Sequence, residues 1–400
     1  MASLSLRPQA NRGLGLLRLA GFALLTIAIA GCVPRSRPAP PPPTETPEEE
    51  PDRPTRLPAD ETRNRVAVLV PLSGANASLG QSIMNAANLA LLDSAQLPGG
   101  SRMRITAYDT NRAGGAAAAA NEAIADGSGL FLGPLLAEDA RAVAPIARSE
   151  GVPVIAFSND TSVAGAGVYV MGFNPGQTID RVVGYARSRG VQRFGALVPS
   201  GTYGERATEA LTRSLEGSGG TLSGMHSYDR TPASLRAAAT RLNAQGRHDA
   251  VLIADGAQSA LQAVTIVRQA SPQPRLLGTE LWAADSNLGA NVGLRGAWFA
   301  APSDANFGAF RTRYRARYNA APFRLSSLGY DAVLLAVRIA GDWPIGRRFP
   351  VRQLRDPTGF AGVDGAFRFD RDGVAERALE VREVGATGTT VVSPAPRGFN

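Results

Sequence analysis

Few residues in this 400-residue sequence can carry covalent or metal chemistry. All 42 of its basic Lys or Arg residues are arginines, and it has only two histidines, His226 and His248, and one cysteine, Cys32. A phosphate-binding P-loop and a Schiff-base enzyme both need a lysine, so these classes are excluded. Two histidines and one cysteine cannot form an ordinary zinc site or an intrachain disulfide. We therefore expect no metal and no cofactor.

The motifs of common enzymes are also missing from the sequence. There is no Gly-x-Ser-x-Gly elbow, no His-Glu-x-x-His and no motif that pairs two acids as general acid and base. Asp370, Asp372 and Gly373 fit a hairpin turn better than a calcium loop, since the loop length and the terminal Glu are wrong. The net charge of +8 comes from arginine alone and is weak support for nucleic-acid binding. We expect a non-catalytic protein with no nucleic-acid partner.

The amino-terminal segment has the features of an export signal. Arg7, Arg12 and Arg18 precede an uncharged run from Leu19 to Ile29, which is too short to span a bilayer. Small residues then lead directly to Cys32, as in a bacterial lipobox, where cleavage exposes the cysteine for acylation. The alternative is an ordinary signal peptide with a chance cysteine. We predict a lipoprotein signal over residues 1–31, and Val33 in place of Asp favours the outer membrane.

A proline-rich segment follows the lipidated cysteine. Ten prolines fall between Val33 and Thr62, together with three consecutive glutamates. Such a composition cannot bury enough apolar surface to fold, and it favours an extended, semi-rigid chain. Residues 32–62 are therefore predicted to be a disordered tether.

From Arg65 onward, short apolar runs alternate with helical periodicity. Runs such as Arg65–Val70, Leu130–Pro134 and Ala250–Ala254 read as buried strands, and the segments between them have the spacing of amphipathic helices. This alternation is typical of βαβ units, so the fold class is α/β with parallel sheets flanked by helices. About ten such repeats are too many for one small sheet and predict two lobes. Residues 360–384 alternate like a β-hairpin, and residues 391–400 are predicted to be a frayed tail.

Ligands of open α/β sheets bind beyond the carboxyl ends of the strands, and two facing lobes form a cleft. The residues at these strand ends are the candidate ligand-binding set: Ser73, Gly133, Ser158, Asn159, Tyr203 and Asp255. Each also has a structural interpretation. Ser73 suits a turn, Gly133 with Pro134 suits the end of a strand, and Tyr203 could pack as well as line a cleft.

Several of these motifs together resemble the type I periplasmic binding proteins, the branched-chain amino-acid receptor group. The similarity covers about residues 65–385 and rests on Pro71-Leu-Ser-Gly74, Gly133-Pro134, Pro153 to Ser158, Thr202 to Glu205 and the hairpin from Phe360. It implies one domain over residues 63–390 with a hinge between lobes. The expected boundaries are 65–176 and 281–358 for lobe 1, and 177–280 and 359–390 for lobe 2.

Within that group, Leu69 to Gly74, Gly80 to Ile83 and Gly133 to Leu136 resemble the carboxyl-terminal domain of lipoprotein activators of penicillin-binding proteins. The resemblance implies an outer-membrane lipoprotein that faces the periplasm and binds and activates a peptidoglycan synthase. The best-known activators carry a helical-repeat domain before this one, whereas here we expect only the tether.

The alternative is a solute receptor for an amino acid or small amide that works with an ABC transporter. In the amino-acid receptors, hydroxyls after the third and fourth strands hold the ligand carboxylate, and a Tyr matching Tyr203 contacts the ligand. Here Leu135 and Leu136 stand where a hydroxyl is expected. The resemblance therefore implies weaker recognition of a carboxylate.

Overall fold

The computed structural model describes residues 61–97, 99–270, 273–285, 287–396 and 398–399. The predicted signal segment, Cys32 and the tether up to residue 60 lie outside those residues. Among the described residues, no helix combines the length and the apolar character that crossing a membrane requires.

Helices and strands alternate through most of the described chain. The strands are β1 Asn64–Val70, β2 Met103–Asp109, β3 Ser128–Leu132, β4 Val154–Ala156, β5 Val168–Val170, β6 Arg193–Pro199, β7 Thr221–Tyr228, β8 Ala250–Ile253, β9 Arg275–Gly278, β10 Trp298–Pro302, β11 Phe360–Gly362, β12 Gly365–Phe369, β13 Ala375–Arg377, β14 Leu379–Val384 and β15 Thr389–Ser393. The α-helices are α1 Ala77–Asp93, α2 Gly115–Ala125, α3 Ala137–Ser149, α4 Pro175–Ser188, α5 Thr202–Ser218, α6 Pro232–Ala244, α7 Ala257–Val267, α8 Phe307–Tyr318 and α9 Ser326–Ala340.

The first lobe is built on a parallel five-stranded sheet in the order β2-β1-β3-β4-β5. Both faces of β1 are buried, since Val66, Val68 and Val70 pack into one core and Ala67 and Leu69 into another. Helices α1, α8 and α9 cover the first face, and α2 and α3 cover the second. Burial on both faces explains why the strand is an unbroken apolar run rather than an alternating one.

The second lobe is built on a seven-stranded sheet in the order β15-β14-β10-β9-β8-β6-β7. Strands β6 to β10 are parallel, whereas β14 and β15 are added antiparallel at one edge. Helices α6 and α7 cover one face and α4 and α5 the other. The α/β class with parallel sheets flanked by helices is therefore confirmed.

The predicted lobe boundaries are wrong in two places. Residues 281–302 were expected in lobe 1, but β10 is hydrogen-bonded between β9 and β14 in the second sheet. Residues 359–390 were expected in lobe 2, but β11 to β13 form a separate antiparallel sheet whose Phe360, Phe367 and Phe369 pack into the first-lobe core. An apolar strand pattern shows that a strand is buried, but not against which neighbours.

The tail also differs from expectation. The predicted hairpin is formed by β12 and β13, joined by a turn in which the Asp370 carboxylate accepts from the Val374 N–H at 2.9 Å. The chain then leaves that sheet, because β14 pairs with β10 and not with β13. Residues 391–393 of the predicted frayed tail belong to β15, which pairs with β14.

The chain therefore crosses between the lobes three times, near residues 171–174, 303–306 and 378. Hydrogen bonds tie these crossings together. Arg377 Nη2 donates to the Met171 carbonyl at 2.6 Å, and Gln177 Nε2 donates to the Ala375 carbonyl at 2.7 Å. A further bridge pairs Val170 with Val374. These contacts hold the first and third crossing segments together at the place where the two lobes join.

Candidate functional site

Four of the candidate residues lie at one edge of the first-lobe sheet. Ser73 follows β1, Gly133 follows β3, and Ser158 and Asn159 follow β4. Strands β1, β3 and β4 are neighbours and parallel, so their carboxyl-terminal loops meet at the same edge. The four residues chosen because they follow strands therefore lie together at one edge.

Their side chains differ in what they offer to a ligand. Gly133 has a φ of +98°, and a Cβ there would lie 2.1 Å from the Leu69 carbonyl oxygen, so this position is closed by backbone packing. The Ser158 hydroxyl is buried and accepts the Asp160 N–H at 3.1 Å. The Ser73 carbonyl accepts from the Asn111 amide at 3.1 Å, and Asn159 is exposed.

Asp160, which the sequence reasoning missed, is a charged group of this edge. It is 3% exposed and lies 2.6 Å from Arg141 Nη2 of α3 and 3.4 Å from Arg206 Nη2 of α5. Burial alone would raise the pKa of Asp160, but hydrogen bonds from Ser162 and from Arg141 outweigh it and hold the pKa below its usual value. Asp160 is therefore ionised. Because α5 belongs to the second lobe, the contact with Arg206 shows that the two edges face each other.

The second-lobe edge carries Tyr203 and Asp255 together with Thr279 and Glu280. Tyr203 lies in the first turn of α5 after β6, Asp255 follows β8, and Thr279 and Glu280 follow β9. These three strands are neighbours in the sheet. The Tyr203 hydroxyl donates to Glu280 Oε1 at 3.0 Å and lies 2.9 Å from the Thr279 hydroxyl.

Glu280 is a buried carboxyl held between two hydroxyl groups. It is 8% exposed, and Thr178 Oγ1 donates to its second oxygen at 2.6 Å. Burial raises the pKa of Glu280, and the hydrogen bonds from Thr178 and Tyr203 offset that effect only in part. Burial, and then the nearby Glu280 carboxyl, raise the pKa of Tyr203 well above its usual value. The Glu280 carboxyl is thus a desolvated hydrogen-bond acceptor at the end of β9.

Asp255 lies at the same edge, but its oxygens already have partners. Oδ2 accepts from the Tyr228 hydroxyl at 2.8 Å, Ser259 Oγ at 3.1 Å and Arg230 Nε at 3.2 Å, while Oδ1 accepts the Gly256 N–H at 2.8 Å. The carboxylate therefore joins the ends of β7 and β8 to the start of α7.

His248 lies away from this edge. The Ser223 hydroxyl is 2.6 Å from Nδ1 of His248, a separation that a nucleophile and its base would also have. However, Nε2 of His248 lies 2.9 Å from the Leu242 carbonyl, and the Ser223 hydroxyl lies 3.0 Å from the Phe194 carbonyl, so both side chains are tied to backbone acceptors. His248 is 1% exposed and precedes β8, at the amino end of the strands. This pair holds β7 to β8.

The sequence reasoning identified the strand-end rule but applied it incompletely. Thr279 and Glu280 directly follow β9, so the rule that selected Asp255 would also have selected Glu280. Arg206 follows Tyr203 by one helical turn. Its pairing with Asp160 joins residues 46 positions apart, and no local pattern signals it.

Comparison with known proteins agrees with this geometry. A profile of the family described as periplasmic binding protein matches residues 64–389. An uncharacterized protein of Rickettsia prowazekii is 23% identical over 178 residues, 44% of this chain and 47% of that one. The match thus spans about half the length of that curated relative.

Solved structures of ABC-transporter proteins share the fold. A putative branched-chain amino acid ABC transporter from Rhodospirillum rubrum superposes with a TM-score of 0.73 at 19% identity, covering 82% of this chain and 100% of that one. A branched-chain amino acid transporter substrate binding protein from Streptococcus pneumoniae, in complex with isoleucine, gives a TM-score of 0.62 at 17% identity, covering 83% and 100%. The family match covers most of the chain. The protein is a member of the periplasmic binding protein family.

Proposed function

We propose that this protein is a solute-binding protein whose interlobe cleft holds a small molecule bearing an amino or amide nitrogen. The observation that carries the proposal is the Glu280 carboxyl, buried at the second-lobe edge and held by Thr178 and Tyr203. A nitrogen donor placed against this carboxyl would stabilise its charged form, which burial disfavours. The fold is shared with a transporter protein in complex with isoleucine, which supports the same type of ligand.

The first-lobe edge favours an amide over a free amino acid. Residues 133–137 contain no hydroxyl group, and Leu135 and Leu136 are half-buried. The nearby Asp160 carboxylate offers no donor to a ligand carboxylate, and its charge is offset by two arginines. Arg141 and Arg206 are already paired with Asp160 and are not free to hold a carboxylate. The ligand class supported best is therefore an amino acid amide or a similar small amide.

Thermal unfolding of the purified protein tests this proposal. At about a hundred times the Kd, a ligand stabilises the native state by about 2.7 kcal/mol, which raises the Tm by a few degrees for a chain of this size. We expect leucinamide to raise the Tm more than leucine does. The variant Glu280→Gln should abolish the shift, whereas Glu216→Gln, an exposed residue of α5, should retain it.

The proposal fails if no amino acid or amide shifts the Tm of the wild-type protein. It also fails if Glu280→Gln and Glu216→Gln respond alike.

A second candidate is a non-catalytic activator of a peptidoglycan synthase, anchored through Cys32 to the outer membrane. The Arg206–Asp160 pair favours it, because this contact joins the cleft edges through the protein's own side chains. A protein that works by surface contact can use such a pairing to hold its two lobes in one arrangement. Cross-linking in the periplasm should then capture a penicillin-binding protein, and Cys32→Ala should release the chain from the membrane fraction. Recovery of no synthase would count against this candidate.

A further inference from the structure

A second cavity, of about 550 Å³, lies between the two lobes and apart from the strand-end cleft. One wall is the loop after β9 together with β10, β14 and the β14–β15 turn. The other wall is α8 and the segment that precedes α9. None of the cleft residues described above lines it. Its volume lies within the range of small-molecule sites in proteins.

The charges around this cavity are unequal. Four arginines line it, against two aspartates, Asp285 and Asp304. Arg382 is buried and pairs with Glu380 at 2.6 Å and with Asp304, and Arg324 pairs with Asp364. These two arginines are therefore compensated by carboxylates of the protein.

The other two lining arginines, Arg311 and Arg315, are not compensated. Both are exposed and lie one helical turn apart on α8, a helix that contains no acidic residue. Among the described residues, no carboxylate lies within ion-pair distance of either guanidinium group. Like charges at this spacing destabilise a helix. An anion between them would remove that repulsion.

The cavity also has an apolar wall. Phe299 is fully buried, and the ring of Phe307 lies under the Arg324 guanidinium, with 4.0 Å between the ring centroid and Cζ. Leu288 completes this surface. Aromatic rings beside cations suit a ligand that has both a flat apolar body and a negative charge.

We propose that this cavity binds a small organic anion with an apolar body, of the class of aryl or acyl di-acids. Its acidic groups contact Arg311 and Arg315, and its apolar body packs on Phe307. The site is independent of the cleft ligand proposed above, because the two sites share no residue.

Isothermal titration with phthalate tests the proposal. We expect binding that weakens as salt is added, since the contacts are charged and exposed. The double variant Arg311→Ala/Arg315→Ala should weaken binding about tenfold, because two charge-assisted contacts are lost. Inorganic phosphate, which lacks the apolar body, and dimethyl phthalate, which lacks the charge, should both bind more weakly than phthalate.

Two controls keep the result specific. Arg241→Ala/Arg317→Ala removes the same charge from exposed positions that do not line the cavity and should leave the affinity unchanged. Glu280→Gln should also leave it unchanged, which separates this cavity from the cleft. The proposal is wrong if phthalate fails to bind at millimolar concentration, or if both double variants lose affinity equally.

Discussion

The contact between Arg206 and Asp160 should control how often the two lobes separate. It joins α5 of the second lobe to the β4 loop of the first, with Nη2 and Oδ1 3.4 Å apart. The Arg206 side chain is one-third exposed, so solvent screens the pair and its contribution is about 0.5–1 kcal/mol. Removing it by Arg206→Ala should raise the ratio of open to closed molecules about two- to fivefold.

Arg141→Ala provides a matched control. Arg141 pairs with the same carboxylate at a shorter distance, 2.6 Å, but from within the first lobe. Its loss should lower stability without separating the lobes. Glu209→Gln removes the other partner of Arg206, which lies 3.0 Å away on the same helix.

The interlobe distance can be measured by double electron–electron resonance between spin labels attached at positions 138 and 205. Cys32 is replaced by Ser so that it takes up no label. We expect a longer-distance population in Arg206→Ala at low salt. At about 1 M salt, where the screening length is about 3 Å, this difference from the wild type should vanish. The reasoning is refuted if Arg141→Ala opens the lobes as much as Arg206→Ala does.

Three further predictions concern stability, each measured by urea unfolding. Trp282 is fully buried and its indole donates to the Asp255 carbonyl at 2.9 Å, so Trp282→Ala should cost about 3–5 kcal/mol; a loss under 1 kcal/mol would contradict the packing. Burial, and then the Asp364 charge, raise the pKa of Asp331 to about 7, above an unfolded value of about 3.9. The stability that Asp331 contributes is therefore fully present below about pH 4 and is lost as the pH rises through 7. Asp331→Asn should flatten this fall in the free energy of unfolding with pH, and an unchanged pH dependence would argue against the raised pKa. Gly133→Ala should destabilise by more than about 1 kcal/mol, given its positive φ and the contact with Leu69, and a neutral effect would return this position to the ligand-binding set.

The alternation of strands and helices could be predicted from sequence because burial imposes a period on each element. The prediction failed for β5, β7 and β15, which were not recognised as strands. All three lie at the edges of their sheets. Strand β5 has only three residues, and β7 is largely exposed or half-buried, with Ser, Gly and His among its residues. An edge strand needs fewer apolar side chains, so its pattern is weak. The pairing of β14 with β10 depends on residues some 80 positions apart, which no local pattern contains.

The candidate site was predictable only in its location. The strand-end rule places Tyr203 and Asp255 at one edge and the first-lobe candidates at the other. It could not show that Asp255 already has a full set of hydrogen-bond donors, since these come from Tyr228, Arg230 and Ser259 on other elements. Nor could it show that Asp160 meets Arg206 across the lobes. Whether a polar side chain is free depends on its neighbours in space, and these follow from the assembled fold.

The three crossings have a consequence for the order in which the protein is assembled. The parallel strands β6 to β10 of the second lobe lie in one uninterrupted stretch, residues 193–302. The first sheet is completed earlier in the chain, at residue 170, but the helices α8 and α9 that cover one of its faces end only at residue 340. As the chain emerges amino end first, helix α1 can cover part of the face that carries Val66, Val68 and Val70, but the rest of that face waits for α8 and α9 until nearly the whole protein has been made. The first lobe thus starts first and finishes last, and the part of its sheet that waits for α8 and α9 is the surface that a chaperone would need to protect.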